Sequence, residues 1–179
     1  MNNIARIKTI SRLMEHFCLI VMIALPMWVI WFWTNADQYL AELSFARESL
    51  LLDMQYIELY QLVLAGGLSM LSILVLVYGI SHLRRLFVLF QQGEFFSEHS
   101  ARHLHIFGLT LFISALLKPV VSAALSLILT MGNPPGQKSV VVEFGSREIS
   151  MIFIAGTILV ITWILREGQK LAAENAEFV

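Results

Sequence analysis

The polar residues that could do chemistry lie inside an otherwise apolar stretch. Six of them follow one another at four-residue intervals, and most residues between them are Leu, Ile, Val, Phe or Ala. On a helix of ~3.6 residues per turn they form one slowly winding row. Such a row either lets helices pack closely or lines a wet cavity, and for the hydroxyl residues alone we favour packing. This polar row consists of Thr110, Ser114, Lys118, Ser122, Ser126 and Thr130.

Lys118 adds support to the cavity interpretation, because a charge in the middle of a membrane span is costly. It lies near the centre of the apolar segment 106–129, about 18 Å from the inner end at ~1.5 Å per residue. A central lysine costs at least ~2.5–3.5 kcal/mol, so it must be neutral, hydrated or paired. Glu15 and Glu58 are the nearest carboxylates by depth. Two interpretations stay open, a functional group and a structural anchor in a water pocket.

Histidine is the second residue type with chemical potential. His99 and His103 are four residues apart on a predicted helix, and His105 follows them. This spacing can bind zinc, but a zinc site needs further ligands, and Glu98 is the only obvious one. We therefore expect a solvated helix and no metal. Histidines near the ends of spans can also ligate haem, but none lies inside a span, and we expect no cofactor.

No catalytic signature is present. The sequence has no P-loop, no G-x-S-x-G, no H-E-x-x-H and only one cysteine, Cys18. The formal net charge of −1 gives no bulk attraction to nucleic acid. We expect a protein that is not an enzyme and does not bind nucleic acid directly.

The elements that position these residues must be membrane helices. Hydrophobic residues make up 58% of the chain and charged residues 14%, against about 45–50% and about 25% in soluble domains. Four segments reach the ~17–25 apolar residues that a span needs. We predict an all-α integral membrane protein with one domain over 1–179, and we expect the first span to be retained rather than cleaved as a signal peptide. The predicted spans are 17–33, 59–81, 106–129 and 149–165.

The distribution of Lys and Arg predicts the orientation, because basic residues are enriched on the cytoplasmic side. Arg47, Lys138 and Arg147 lie on one side, and eight basic residues lie on the other. We therefore predict a multi-pass protein of a bacterial inner membrane with both termini in the cytoplasm. The eight are Arg6, Lys8, Arg12, Arg84, Arg85, Arg102, Arg166 and Lys170.

The two external connections have different patterns. Residues 36–58 lack Gly and Pro and are rich in Leu, Glu and Ala, which predicts an extracytoplasmic helix. The sequence Gly-Asn-Pro-Pro-Gly at 132–136 predicts a turn, and the following residues 139–144 have the pattern of a short strand or extended segment.

The cytoplasmic connection and the tail also carry local signals. Apolar residues recur at helical spacing from Leu83 to Phe90, so the second helix is predicted to continue past its span. Gly93 is the predicted stop and Ser97 the predicted N-cap of the next helix. The tail 166–179 is predicted to be helical, with charges spaced for i,i+3 and i,i+4 pairs.

Three stretches in this order, around four spans, resemble a known family. They are Leu-Arg-Arg-Leu-Phe at 83–87 with Gly-Glu-Phe-Phe at 93–96, the turn at 132–136, and the ending Leu-Ala-Ala-Glu-Asn-Ala-Glu-Phe-Val. From the second span onward, the chain resembles the YoaS-like bacterial inner-membrane proteins, catalogued as a domain of unknown function. The resemblance implies a small four-helix membrane protein, often encoded beside a small Xre-type helix-turn-helix regulator. It implies no catalytic residues, cofactor or substrate.

The cytoplasmic face combines basic, aromatic and acidic residues. The basic and aromatic ones either lie against lipid headgroups or form a docking groove with the tail. The acidic end of the tail would be repelled by an anionic leaflet, so we predict that 171–179 packs on protein. The candidate docking surface consists of Arg84, Arg85, Phe87, Phe90, Phe95, Phe96, Glu174 and Phe178.

The leading functional interpretation is a non-enzymatic inner-membrane protein with a regulatory or sensing role. Its cytoplasmic surface would engage a partner, and the resemblance implies a small DNA-binding regulator. The first alternative is a small transporter or channel, which an oligomer would suit, with a polar path that includes Lys118. The second is a haem- or quinone-linked redox subunit.

Overall fold

The computed structural model describes residues 3–36, 57–134, 138 and 140–177, with side chains from 5 to 171. These residues form four long helices and, in the described ranges, no strand. The predicted extracytoplasmic helix falls almost entirely on residues 37–56, which lie outside those ranges. The helices are α1 (Asn3–Thr34), α2 (Leu59–Gln92), α3 (Glu98–Thr130) and α4 (Ser146–Glu177).

All four helices are long and apolar enough to cross a membrane, with mean hydropathy from 2.0 to 2.2 over their most apolar windows. Between 6% and 17% of the residues in those windows are buried inside the chain. Large side chains such as Ile20, Val63 and Phe153 therefore point outward. A fold that leaves this much apolar surface uncovered needs an apolar surrounding, which a bilayer supplies.

The helix ends follow the local signals. α2 has 34 residues, about 51 Å at ~1.5 Å per residue, and so extends beyond a ~30 Å hydrocarbon core as predicted. Gly93 ends it with a left-handed backbone at φ 95°. The Ser97 side chain caps α3 by accepting from the backbone N–H of Ser100 at 3.2 Å. The prediction of a helical tail is confirmed as far as Glu177.

Each helix packs mainly against the next one in the chain, and α1 and α4 make little or no contact with each other over the described ranges. Gly79 of α2 faces Thr110 of α3, with no room for a Cβ atom between them. Gln61 at the start of α2 is fully buried and donates to the carbonyl oxygen of Ile128 at 2.8 Å. The main helix contacts among the described residues thus follow the order of the chain.

The register of α3 and α4 decides what surrounds Lys118. Gly108 faces Ile158, where an added Cβ would lie 2.9 Å from the isoleucine Cγ2. Antiparallel helices advance equally in opposite directions, so ten residues further along α3 brings Lys118 level with Glu148, in the first turn of α4. Residues 121–130 of α3 therefore extend beyond the start of α4.

Candidate functional site

The segment that enters α4 runs back along this uncovered part of α3. The Ser126 hydroxyl accepts a hydrogen bond from the backbone N–H of Val141 at 2.9 Å. One turn earlier in α3, the Ser122 hydroxyl accepts from the backbone N–H of Glu143 at 3.0 Å. Two serines of the polar row therefore attach the connecting segment to α3.

The four-residue period of the row fits this task. Four helical residues advance by about 6 Å, and two residues of extended chain advance by about 6.6 Å. Serines one turn apart can therefore bind every second N–H of an extended segment, as Ser126 and Ser122 do for Val141 and Glu143. Backbone at membrane depth must have its polar groups satisfied. Residues 140–145 form no strand, and the spacing of the two hydrogen bonds fits an extended chain.

The other hydroxyls of the row have different roles. Thr110 donates to the carbonyl oxygen of Ile106 at 2.7 Å and packs against Gly79, as the packing interpretation predicts. Thr130 is fully buried and donates to the carbonyl oxygen of Ser126. The Ser114 Oγ is buried and has no hydrogen-bond partner among the described residues. The row thus combines helix packing, attachment of the segment and one unpaired hydroxyl.

Glu148 lines the same cavity as Lys118 and lies level with it, although the two form no ion pair. Glu148 is 8% exposed and accepts from the backbone N–H of Gly145 at 2.9 Å, which caps the start of α4. Depth along the sequence had named only Glu15 and Glu58 as candidates and did not identify Glu148. Glu15 forms an ion pair with Arg84 at 3.2 Å, and Glu58 precedes α2. The prediction measured depth from the ends of the predicted spans. In the structure, α4 begins at the level of the centre of the third span.

Lys118 and Ser114 open onto a cavity of about 470 Å³ that all four helices line. Most of its wall is apolar, with Trp28 and Phe32 from α1, Leu76 from α2 and Leu111 from α3. The cavity lies between α1 and α4, which make little or no contact with each other. Six lining residues carry hydroxyl or charged groups, and they are Ser69, Ser72, Ser114, Lys118, Arg147 and Glu148.

The histidines meet in a combination that the sequence analysis did not consider. The Nδ1 atoms of His82 in α2 and His103 in α3 are 2.8 Å apart, so one ring donates and the other accepts. His99 and His105 do not join them. Over the described ranges, no group of three or more His, Cys, Asp or Glu side chains could hold a metal. The pair is a contact between two helices.

The candidate docking surface is partly used within the chain. Arg84 binds Glu15, whose second carboxylate oxygen accepts from Gln91 at 2.8 Å. Phe90 lies between Phe87 and Phe95, with ring centroids 6.3 Å and 5.7 Å away. Arg84 therefore joins α2 to α1, and Phe87 and Phe90 pack at the end of α2 against the connection that follows it.

Two members of that surface remain free to contact a partner. Phe96 is 76% exposed, and Arg85 is also exposed. α4 reaches this connection, because the Gln169 side chain donates to the carbonyl oxygen of Phe96 at 2.8 Å. The Glu174 side chain and all of Phe178 lie outside the described residues, so the packing of 171–179 stays a prediction.

The match to known proteins covers most of this site. Residues 46–179 match the family described as Protein of unknown function (DUF2975). The chain belongs to this family. Membership of a family catalogued as a domain of unknown function is thus confirmed, and the YoaS-like name stays a resemblance. No curated protein and no solved structure matches the chain. In this DUF2975 protein the matched region holds Lys118, Glu148 and the serines, whereas Trp28 and Phe32 precede it.

Proposed function

We propose that this DUF2975 protein is a non-enzymatic membrane sensor with a regulatory role. The cavity around Lys118 receives the signal, and the cytoplasmic ends of the helices transmit it. The observation that carries this proposal is the convergence of all four helices on one cavity of about 470 Å³. A ligand in this cavity would contact both α1 and α4, which make little or no direct contact with each other.

The helices connect the cavity to the opposite end of the molecule. α1 is one helix from Trp28, in the cavity wall, to Glu15, which binds Arg84 of α2. α4 is likewise continuous from Glu148 to Gln169, which holds the α2–α3 connection. A ligand that binds one arrangement of α1 and α4 more tightly shifts the population towards it. That shift would move the groups at the cytoplasmic end.

The partner at that end is a cytoplasmic protein that reads the change. Exposed Phe96 and Arg85 offer an aromatic and a basic contact next to the end of α4. Aromatic and Arg side chains are enriched in protein interfaces. The YoaS-like resemblance makes a small helix-turn-helix regulator the first candidate, in a bacterial inner membrane.

A transporter with a path along the polar row has less support. Such a path needs hydroxyls that face a common channel. Ser122 and Ser126 instead accept from the backbone of 141–143, and Thr110 packs against Gly79. Only Ser114 and Lys118 of the row line the cavity.

Filling the cavity with a side chain tests the sensor proposal. Ser72→Trp, in a Cys18→Ser background, places a large group in the cavity wall. Spin labels at Arg12→Cys and Glu167→Cys then report the distance between the inner ends of α1 and α4 in lipid nanodiscs. We expect a shift of about 1–2 Å or more, the scale of helix movements in switching proteins.

The matched control is Leu74→Trp on the same helix, because Leu74 is exposed and does not line the cavity. This variant should leave the distance unchanged. Equal distances in both variants and the parent would refute transmission from the cavity to the cytoplasmic end.

A further inference from the structure

We propose that the cavity binds an anionic acyl lipid, with its carboxylate or phosphate head at Lys118 and its chain along the aromatic wall of α1. This inference rests on the sensor function and adds the chemical class of the ligand. The head and the chain are argued from separate observations.

The charges around the cavity leave room for one more anion. Lys118 forms no ion pair among the described residues, and Glu148, the only carboxylate among the lining residues, caps the start of α4. Glu143 lies on the attached segment, but its side chain is exposed and forms no ion pair with Lys118. An unbalanced charge at membrane depth is costly, and a bound monoanion would compensate that of a protonated Lys118.

Hydrogen-bond donors converge on the same place. Ser114 lines the cavity, and its hydroxyl oxygen is buried and lacks a partner among the described residues. The first turn of α4 lies at the level of Lys118, and its end already holds one carboxylate, because Glu148 accepts from the backbone N–H of Gly145. The positive end of the helix dipole also favours an anion there. Ser114, Lys118 and the start of α4 together resemble a site for an oxyanion.

The remainder of the cavity suits an acyl chain rather than a small polar ion. Trp28, Phe32, Leu76 and Leu111 form an apolar wall, and about 470 Å³ falls in the ~300–1,000 Å³ range of ligand pockets. A small hydrophilic anion would leave this wall uncovered. α1 and α4 both line the cavity and make little or no direct contact with each other, so a chain that enters from the lipid would pass between them.

Photolabelling with a lipid probe tests this inference. The protein is placed in nanodiscs of zwitterionic phosphatidylcholine with a 16-carbon carboxylate that carries a diazirine a few carbons from its head. We expect cross-links on the α1 and α2 peptides around Trp28 and Leu76, and competition by palmitate. Methyl palmitate and hexadecyltrimethylammonium, which lack the anionic head, should compete poorly.

Variants of the head site separate charge from structure. Lys118→Met should weaken palmitate binding roughly ten- to a hundredfold, the loss of a hydrogen bond to a charged group. Lys118→Arg should retain most binding, and Ser114→Ala should weaken it roughly two- to tenfold. Lys138→Met, outside the cavity, is the charge-matched control and should have no effect. Helicity and elution volume verify that each variant is folded.

The choice of competitor also shows whether the bound head group belongs to a free fatty acid or to a phospholipid. Competition by palmitate alone identifies a free carboxylate, and competition by phosphatidylglycerol alone identifies a phospholipid. Equal competition by methyl palmitate, or unchanged labelling of Lys118→Met and Ser114→Ala, would overturn the inference. If labelling fails while Ser72→Trp still moves the helix ends, the ligand class is wrong and the sensor proposal survives. The opposite result retains the lipid site and rejects the sensor.

Discussion

Replacing Ser126 with Ala removes the acceptor for the backbone N–H of Val141. Ser126 is 3% exposed and Val141 is half-buried, so water cannot readily take its place. A buried donor left without a partner costs about 1–3 kcal/mol. Local opening of the segment from α3 should become easier by that amount. At Ser122 the cost should be about 0.5–1 kcal/mol, because Glu143 is exposed and its N–H can bind water.

Hydrogen exchange followed by mass spectrometry in nanodiscs measures this opening. The protection of the Val141 amide should fall roughly five- to a hundredfold in Ser126→Ala, at ~1.4 kcal/mol per tenfold. Ser150→Ala is the control, because the Ser150 hydroxyl bonds only within α4, to the carbonyl oxygen of Ser146. If the Val141 amide exchanges at the same rate in Ser126→Ala and the parent, the serine row does not hold the segment and the reasoning fails.

Three further predictions follow from packing, charge and the tail. Gly108→Ala should lower stability by about 1–3 kcal/mol in thermal unfolding because its Cβ meets α4, whereas Gly156→Ala, with open space around it, should be neutral or stabilising. In intact spheroplasts of a cysteine-free parent, an impermeant thiol reagent should label Lys138→Cys and spare Glu98→Cys; the reverse pattern would invert the orientation. Deleting 175–179 should spare insertion and weaken recovery of a cytoplasmic partner; an undiminished yield would count against tail docking.

Local sequence signals predicted the helices and their ends. The apolar length of the four segments is a property of contiguous residues, so it needs no tertiary information. Gly93 and Ser97 act on the turn that contains them, and both were identified because helix caps are local. The family resemblance likewise depended on short stretches in a fixed order.

The partners of the polar residues were harder to predict. The sequence treated the serine row as a packing surface or a cavity lining, but it could not show that an extended segment would lie on it. The only signal in the sequence was the four-residue spacing of the serines, because four helical residues advance about as far as two residues of an extended chain. His103 was grouped with His99 on its own helix, although its partner is His82 on another.

The sequence by itself determined that this chain forms long apolar helices, that a charge lies in one of the apolar segments, and where α2 ends and α3 begins. Only the tertiary structure decided that Glu148, thirty residues away, lies level with Lys118. The physical reason is that the register between α3 and α4 depends on close packing at Gly108 and on backbone hydrogen bonds of the connecting segment. Both interactions join residues far apart in the chain, so no local pattern contains them.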